Sequence, residues 1–398
     1  MFSKLFTSIQ QEAKTMAKIE RKELIETLAS ILTIHEAGAL VAQINEKNII
    51  SKAKRFGFYP IEDFGSFERM LKMDASFWLA DEIVFSESKT DFAELSKEEQ
   101  NALLTIFAFF AVGDGTISSM LAYQLVLISK SFECQCFYIK QLHQETVHGH
   151  VYGNMIQTLV GDSEQRDRIY HAVENVPAIE AMNQYITDAF TYPDGERQLY
   201  ISLALSEYVF FTPLFCIIFW FRAYRQGKIQ KVLEANEQIA KDEASHCVHG
   251  CMKYLDLPVN ERYSNEEIHK IVDDVVKLVS NLAHHMIYDQ KIELEELTYD
   301  NLVQYIKFVA DDLLERVQHK TLYNVTNPFV WMVYTQFERK ANMYEGTTME
   351  YKRFAVADKL KEAKELNDRF NKTETIANST SSDTRLVSQK VIAKKVKF

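Results

Sequence analysis

Apolar side chains recur at helical spacing along most of the chain. Near the amino terminus they fall at Leu24, Ile25, Leu28, Ile31 and Leu32, which is the pattern of an amphipathic helix. Two later stretches, LLTIFAFFAVGDGTISSMLAYQLVL and LALSEYVFFTPLFCIIFWF, are apolar on nearly every side and predict helices buried in a core. The 398 residues include only 12 Gly and 6 Pro, so helix breakers are few. We therefore predict an all-α fold.

The pattern divides the chain into three regions. Residues 1–54 predict an N-terminal helical extension used for packing or for a partner. Residues 55–354 hold the strongly apolar helices and predict the main domain. Residues 355–398 are polar, with NSTSSD in the middle and basic KKVKF at the end, and predict a flexible C-terminal tail.

Charge and composition exclude several classes of protein. The formal net charge of -11 gives no broad basic surface, which argues against nucleic-acid binding. No apolar run reaches about 18 residues without a charge, so no membrane span is expected. The start, MFSKLFTSIQQEAK, lacks the features of a secretory signal. Five cysteines without zinc-site spacing suit a reducing compartment. The expected location is the cytoplasm, although a weak amphipathic targeting helix stays open.

Two Glu-x-x-His motifs are the strongest chemical signal. Glu145 and His148 are three residues apart, as are Glu243 and His246, and this spacing places both side chains on one helix face. A third pair, Glu266 and His269, lies in the polar segment ERYSNEEIHK behind a Ser-x-x-Glu capping box. We interpret this third pair as an exposed helix start and not as a ligand pair.

Two isolated carboxylates complete the pattern. Asp114 and Glu207 each lie inside a strongly apolar helix, where a charge needs a partner or a metal. For Asp114 an alternative is that it caps a helix break at Gly113 and Gly115. Pro213, six residues after Glu207, should kink or bulge its helix near the site.

Together these residues predict a ferritin-like helical bundle with a dinuclear metal site in its core. Four carboxylates neutralise two divalent ions, and oxygen ligands with one imidazole per ion suit iron or manganese better than zinc. Without metal the four buried acids would repel one another, with raised pKa values. The predicted ligands are Asp114, Glu145, His148, Glu207, Glu243 and His246.

Tyr152 lies one helical turn after His148, so its phenol is expected near the metals. A reduced dimetal centre that reacts with dioxygen is a strong oxidant. A tyrosine held in an apolar pocket beside it can lose one electron and form a persistent radical. We therefore assign Tyr152 as the radical site, in preference to simple core packing.

These motifs resemble the small, radical-generating subunit of class I ribonucleotide reductase, in its eukaryotic-type branch. The matching stretches include RFGFYPIEDFGSFERMLKMDASFWLADEI, FFAVGDG, CFYIKQLHQETVHGHVY, SEYVFFTPLFCIIFWF, KDEASH and NPFVWM, over roughly residues 55–354. The resemblance implies a homodimer that serves a large subunit, where ribonucleotides are reduced to deoxyribonucleotides. It implies a cofactor of two iron ions, formed with dioxygen, and leaves dimanganese or mixed manganese–iron occupancy open.

The resemblance also implies roles for individual residues. Asp114, Glu145 and His148 would hold one metal ion, and Glu207, Glu243 and His246 the other. Phe211, Phe215 and Ile239 would form the apolar pocket around the radical. Trp78, linked through Asp242 to His148, would carry the electron, and Tyr351 would relay it to the large subunit. The tail ending at Phe398 would dock on that subunit.

Three departures from the family pattern are visible. Lys241 stands where an Arg usually precedes Asp-Glu, and Val330 interrupts the usual Asn-Pro-Phe-Asp-Trp motif. The tail is long and ends basic where the family usually ends acidic. Two rival interpretations stay open from the sequence: a diiron oxidase or hydroxylase of the same fold, and a non-catalytic iron-binding paralogue.

Overall fold

The structure, a computed structural model, describes residues 57–120, 124–171, 175–191, 194–333 and 356–368. The predictions made for residues 1–54, for Tyr351 and for Phe398 lie outside these ranges. Within them the secondary structure is helical, without strands, which confirms the all-α prediction. The α-helices of a turn and a half or more are α1 (Phe64–Ala75), α2 (Lys89–Glu94), α3 (Lys97–Met120), α4 (Phe132–Leu159), α5 (Ser163–Tyr170), α6 (Pro177–Thr191), α7 (Gly195–Ala204), α8 (Thr212–Tyr224), α9 (Gln230–Leu255), α10 (Asn265–His284), α11 (Tyr299–Arg316) and α12 (356–368).

Shorter helical segments connect these helices. Two are π-helical and the others form single turns. They are Ala80–Glu82, Phe85–Ser88, Val126–Ile128, Leu205–Phe210, Val259–Glu261, His285–Asp289 and Val330–Val333.

Side-chain caps explain where several helices begin. At the start of α3 the backbone N–H of Ser96 donates to Glu99 Oε2 at 2.8 Å, and the Glu99 N–H donates to Ser96 Oγ at 3.2 Å. This is a capping box, which satisfies backbone donors that the first helical turn leaves free. Ser264 and Glu267 form the same arrangement at the start of α10.

Helix α3 runs through Gly113 and Gly115 without a break. The alternative that Asp114 caps a helix end is therefore wrong. A methyl group at Gly113 would lie 3.6 Å from the ring of Phe211, so the glycine faces the aromatic core. Asp114 itself is 1% exposed and lies in the protein interior.

The helix that carries Glu207 bulges, as Pro213 predicts. Residues Leu205–Phe210 form a π-helical segment between α7 and α8. Pro213 has no N–H to donate to the carbonyl of Val209, so regular α-helical bonding cannot pass through this point. The bulge contains Glu207 and changes the direction in which its carboxylate leaves the helix.

Four long helical segments surround the core. Helix α3 packs on α4, α7 packs on α9, and α9 also packs on α4. The α7–α9 contact is close at Gly250, where a Cβ atom would lie 3.1 Å from the Tyr200 carbonyl oxygen and 3.4 Å from the Ala204 nitrogen. A larger side chain at residue 250 would push α7 away from the helix that carries Glu243 and His246.

Two helical stretches are long and apolar enough to cross a membrane by length and composition alone. They span Lys97–Ile117 and Gly195–Tyr224, and 71% and 94% of their apolar windows are buried inside the protein. Their apolar side chains therefore build the core of the bundle.

Helix α12 lies in the segment where the sequence predicts a flexible tail. Ala363 is 1% exposed, and Leu360 packs against the core. Asn367 binds the backbone of Ile61 at both groups, accepting from its N–H at 2.5 Å and donating to its carbonyl at 3.1 Å. The few apolar residues of this polar stretch share one face, which was too weak a pattern to recognise in the sequence.

An Asn367→Ala substitution should loosen α12 selectively. It removes both hydrogen bonds to Ile61, which together contribute about 1–3 kcal/mol. Backbone amide exchange of residues 356–368 should accelerate roughly tenfold, whereas exchange in α3 and α4 should not change. Lys364→Ala, at an exposed position of the same helix, is the control. Equal acceleration in both variants would show that the Asn367 contact does not hold the helix.

Candidate metal centre

Four helical segments bring the six predicted ligands into one buried cluster. Asp114 comes from α3, Glu145 and His148 from α4, Glu207 from the π-helical segment, and Glu243 and His246 from α9. All six side chains are at most 2% exposed. Donor atoms of Asp114, Glu145 and His148 lie within 4.8 Å of one another. Those of Glu145, Glu207, Glu243 and His246 form a second such group, so Glu145 belongs to both.

His148 is oriented from both sides. Its Nδ1 lies 2.9 Å from Glu243 Oε1 and 3.2 Å from Glu145 Oε2. Its Nε2 lies 3.2 Å from Asp242 Oδ2. A carboxylate at Nε2 favours the tautomer that carries its proton there, which leaves the Nδ1 lone pair facing the cluster.

His246 has the same orientation. Its Nδ1 lies 3.1 Å from Glu145 Oε1 and 3.2 Å from Glu243 Oε2. Its Nε2 lies 2.9 Å from the amide oxygen of Gln144. A second amide, Gln141, donates from Nε2 to Glu207 Oε1 at 2.7 Å. Each imidazole thus presents Nδ1 to the carboxylates, with Nε2 held outside the cluster.

The carboxylates of the cluster have strongly shifted pKa values. Burial raises the pKa of Asp114 well above its usual range, and the charges of Glu145 and Glu243 raise it further. Burial and the charge of Glu243 likewise raise the pKa of Glu207. Glu243 differs, because a hydrogen bond from Glu207 and the charge of His148 outweigh burial and lower its pKa. The acids therefore compete for protons.

The two imidazoles compensate part of this negative charge. Burial alone would lower their pKa values. Instead the charge of Glu243 raises the pKa of His148, with help from Asp242, and the charge of Glu145 raises the pKa of His246. Both imidazoles thus take up a proton more readily than in water. Four acids and two imidazoles still leave an excess of acid at the centre of a dry core.

The residues of the cluster fit a pair of divalent metal ions. Both oxygens of Asp114 are buried, and neither has a hydrogen-bond partner within the described part of the chain. Such a group is costly unless a cation or a donor reaches it. Four carboxylates with two imidazoles are a donor set that suits iron or manganese.

Protein prepared without metal should lose stability as the pH rises. Asp114, Glu207, His148 and His246 all have raised pKa values in the folded state, so above about pH 5 the folded state holds more protons than the unfolded state. Each extra proton lowers the free energy of unfolding by about 1.4 kcal/mol per pH unit. The melting temperature of metal-free protein should therefore fall between pH 6 and pH 8.

Metal-loaded protein is the control for that titration. Metal ions replace the protons, so the loaded protein should be more stable at pH 8 and should depend less on pH over the same range. A metal-free melting temperature that stays constant, or that rises, would contradict the assignment of raised pKa values. Glu243 acts in the opposite direction, but its stabilising contribution is lost only as the pH falls below about 4.5.

Trp78 and Asp242 lie beside the cluster. The indole Nε1 of Trp78 donates to Asp242 Oδ2 at 2.8 Å, and the same oxygen faces His148 Nε2. The rings of Trp78 and His148 are stacked with centroids 6.2 Å apart. Trp78 is 7% exposed, so a continuous path of contacts runs from near the surface to a cluster imidazole.

Tyr152 is buried one turn after His148 on α4. Its ring stacks on Phe110, with centroids 5.0 Å apart and an interplanar angle of 8°. Phe110 in turn packs against Phe211 at 5.1 Å and Phe215 at 4.8 Å. The structure thus brings these two predicted pocket residues to Tyr152 through a third aromatic ring. Ile239, the remaining predicted pocket residue, is fully buried on α9.

Sequence reasoning missed Phe110, Asn236, Gln141 and Gln144. Phe110 was hidden among the many phenylalanines of α3. Asn236 precedes Glu243 by seven residues, which is two helical turns, and Gln141 precedes Glu145 by one turn. A search for polar residues at these spacings from the ligands would have found both amides. Asn236 accepts a hydrogen bond from the Tyr152 hydroxyl at 2.8 Å.

The remaining predicted features lie away from the cluster. Glu266 is exposed at the start of α10, and His269 contacts the Lys320 carbonyl oxygen at 2.7 Å. Neither belongs to the two donor groups found among the described residues, as their polar surroundings predict. Val330 is 73% exposed, so the departure from the usual motif there lies on the surface.

Comparison with known proteins gives the family. The profile of "Ribonucleotide reductase, small chain" matches residues 55–328. The small chain from Spisula solidissima is 31% identical, covering 78% of this chain and 79% of its own length. That from Variola virus is 30% identical, covering 78% and 95%. The chain therefore belongs to the ribonucleotide reductase small chain family.

Solved structures agree in fold. A ribonucleotide reductase homodimer from Saccharomyces cerevisiae superimposes with a TM-score of 0.63 at 20% identity, covering 78% of this chain and 94% of that one. The dimanganese(II) protein NrdF from Streptococcus sanguinis superimposes with a TM-score of 0.63 at 16% identity, and the match covers 71% of this chain and 99% of that one. The ferritin-like fold is confirmed.

Membership of the family makes this chain the small subunit of a ribonucleoside-diphosphate reductase, an oxidoreductase. Small chains of this family bind a dimetal centre, form dimers and work with a large subunit. The match favours the reductase over the two rival interpretations, the diiron oxidase or hydroxylase and the non-catalytic paralogue.

Proposed function

We propose that this chain generates a tyrosyl radical at Tyr152 and supplies it to a large subunit for the reduction of ribonucleotides to deoxyribonucleotides. The observation that carries the proposal is the position of Tyr152. Its phenol is fully buried on the helix that contributes Glu145 and His148 to the carboxylate cluster, one turn beyond His148. Storage of iron requires no tyrosine at this place.

The cluster supports a pair of metal ions. Asp114, Glu145 and His148 would hold one ion, and Glu207, Glu243 and His246 the other, with Glu145 within reach of both. When bound, two iron ions together with dioxygen would supply the oxidising power, and manganese would accept the same ligands. Asp242 and Gln144 keep the two imidazoles in the tautomer that such ligation needs.

The surroundings of Tyr152 suit a stored radical. Burial raises the pKa of Tyr152 well above its usual range, so the phenol keeps its proton until an electron is removed. Phe110 covers the ring, and Phe211 and Phe215 pack behind it. This aromatic layer excludes water and dissolved reductants.

The contacts of Trp78 support a route for the electron. Its indole and the His148 imidazole share Asp242 Oδ2 as their hydrogen-bond partner, so Trp78, Asp242 and His148 form one chain of contacts. Tyr351 would continue the route, and the tail ending at Phe398 would dock the small subunit of the homodimer onto the large one. Both residues belong to the proposal on the strength of the family resemblance.

Reconstitution tests the proposal. Metal-free protein is loaded with ferrous iron and exposed to oxygen, and with manganese in parallel. Metal content, low-temperature electron paramagnetic resonance and deoxyribonucleotide formation with a cognate large subunit are then measured. Two metals per chain, a tyrosyl radical and turnover are expected. Two bound metals without radical or turnover under either loading would contradict it.

A further inference from the structure

The hydroxyl of Tyr152 has a buried amide as its partner. Asn236 lies on α9 and is 0% exposed. Its Oδ1 lies 2.8 Å from the Tyr152 hydroxyl, and its Nδ2 donates to the backbone carbonyl of Val232 at 2.8 Å. The amide is thus fixed at both ends. The Val232 carbonyl, one turn earlier in the same helix, holds its NH₂ group, and the phenol of Tyr152 holds its oxygen.

The direction of both hydrogen bonds follows from the groups involved. A backbone carbonyl can only accept, so the atom of Asn236 that faces Val232 must be the NH₂ group. The amide oxygen therefore faces the phenol, and the phenol must be the donor. The O–H bond of Tyr152 points to Asn236.

We propose that Asn236 is a positioning residue for the redox chemistry of Tyr152, which raises the reduction potential of the radical and so makes it a stronger oxidant. The proposal rests on the proposed function, in which Tyr152 carries the radical. In the reduced state the amide oxygen stabilises the phenol by accepting its proton in a hydrogen bond. In the oxidised state the amide oxygen of Asn236 faces the phenoxyl oxygen of Tyr152, which has no proton to donate.

The balance of the step explains the effect. Oxidation of Tyr152 removes one electron and the phenolic proton. The electron goes to dioxygen, which the proposed function names as oxidant. The proton is consumed in the same reduction, since dioxygen takes up one proton with each electron on its way to water, and the amide oxygen of Asn236 is too weak a base to keep it. Asn236 and the phenoxyl oxygen are then two acceptors in contact, so the bond that favoured the reduced state is lost.

Packing at Asn236 is the competing explanation. A buried amide needs partners, and Asn236 could serve only to satisfy the phenol and to fill space. The two roles predict opposite results for Asn236→Leu, a change of similar volume. Loss of a tuning contact lowers the potential and makes the radical harder to reduce. A packing defect opens the pocket and makes the radical easier to reduce.

The experiment measures radical decay in iron-loaded wild type, Asn236→Leu and Ile239→Val. Decay is followed by electron paramagnetic resonance after addition of a small reductant such as hydroxylamine. We expect decay in Asn236→Leu to be roughly threefold to tenfold slower than in wild type, the range that one hydrogen bond supplies. Ile239→Val removes one methyl group from a buried residue of the same helix and leaves the hydrogen bond of the phenol in place, so its radical should decay faster than that of wild type. Decay in Asn236→Leu as fast as in Ile239→Val would overturn the proposal.

Deuterium couplings of the radical provide a second test. In heavy water the wild-type radical should show no strongly coupled exchangeable deuteron, since Asn236 presents an acceptor. A deuteron coupling that disappears in Asn236→Leu would mean that the amide donates to the radical, and this would overturn the proposal.

A test without metal separates this proposal from the proposed function. The unfolding free energies of metal-free wild type, Tyr152→Phe, Asn236→Leu and the double variant form a double-mutant cycle. Each single change leaves one buried polar group without its partner, so the double variant should lose less stability than the two single losses together. If the losses of unfolding free energy in the two single variants simply added up in the double variant, the hydrogen bond between Tyr152 and Asn236 would be refuted. An iron-loaded wild type without any radical would instead contradict the proposed function, and with it the redox role of Asn236.

Discussion

A Tyr152→Phe variant is expected to lose the radical signal completely and to form no deoxyribonucleotides, while it still binds two metal ions. The substitution removes one hydroxyl from a ring that is fully buried and stacked on Phe110, so the pocket keeps its shape. Phenylalanine has no O–H from which a proton can leave with the electron, and its ring is much harder to oxidise. The carboxylate cluster is untouched. Metal analysis measures metal binding, paramagnetic resonance measures the radical, and an assay with the large subunit measures deoxyribonucleotide formation.

Tyr138→Phe is the matched control. Tyr138 lies on the same helix, is 0% exposed, and its hydroxyl has no hydrogen-bond partner within the described ranges. Its ring packs edge-to-face against the His249 ring, with centroids 4.9 Å apart, and His249 is not one of the predicted ligands. Its radical yield and turnover should match those of wild type. A radical that persists in Tyr152→Phe, or that disappears in Tyr138→Phe, would move the radical to another tyrosine.

The sequence predicted those parts of the site that depend on a single helix. Glu145 and His148, or Glu243 and His246, share a face because of helical geometry alone, and that geometry can be read from spacing. The bulge at Glu207 was predictable for the same reason, since Pro213 acts on its own helix. Burial then separated these motifs from Glu266 and His269, which have the same spacing in a polar segment.

Apart from the contacts that the family resemblance implied, contacts between helices could not be worked out from the spacing of residues. Nothing in the order of residues shows that Gln144 of α4 faces His246 of α9, or that Asn236 of α9 faces Tyr152 of α4. Such pairs depend on the rotation of each helix about its axis, which the packing of the whole core decides. Phe110 illustrates the difficulty, because α3 is apolar on nearly every side and no periodicity shows which ring meets Tyr152.

A Trp78→Phe variant is expected to form the radical normally and yet to lose roughly 100-fold in turnover. The indole donates to Asp242 and stacks beside His148, but it is not part of either donor group. In the proposed function, radical formation needs the cluster, dioxygen and Tyr152, all of which remain in this variant. Under the same proposal, turnover needs an electron to pass between Tyr152 and the large subunit. Phenylalanine fills most of the volume of the indole, but it lacks the N–H and resists oxidation. A 100-fold loss corresponds to a rise of about 3 kcal/mol in the activation barrier, since each 1.36 kcal/mol changes the rate tenfold.

Trp220→Phe distinguishes a lost electron route from a general loss of packing. Trp220 is 1% exposed and, like Trp78, its indole nitrogen makes a hydrogen bond, here to the Glu295 carbonyl at 2.8 Å. Its replacement should lower the melting temperature through the loss of packing, while radical yield and turnover stay close to wild type. If both tryptophan variants lost turnover in proportion to stability, Trp78 would be a packing residue. If Trp78→Phe reduced radical yield as strongly as turnover, the indole would act during formation of the radical. The electron route from Tyr152 past His148 and Asp242 would then reach the large subunit through a residue other than Trp78.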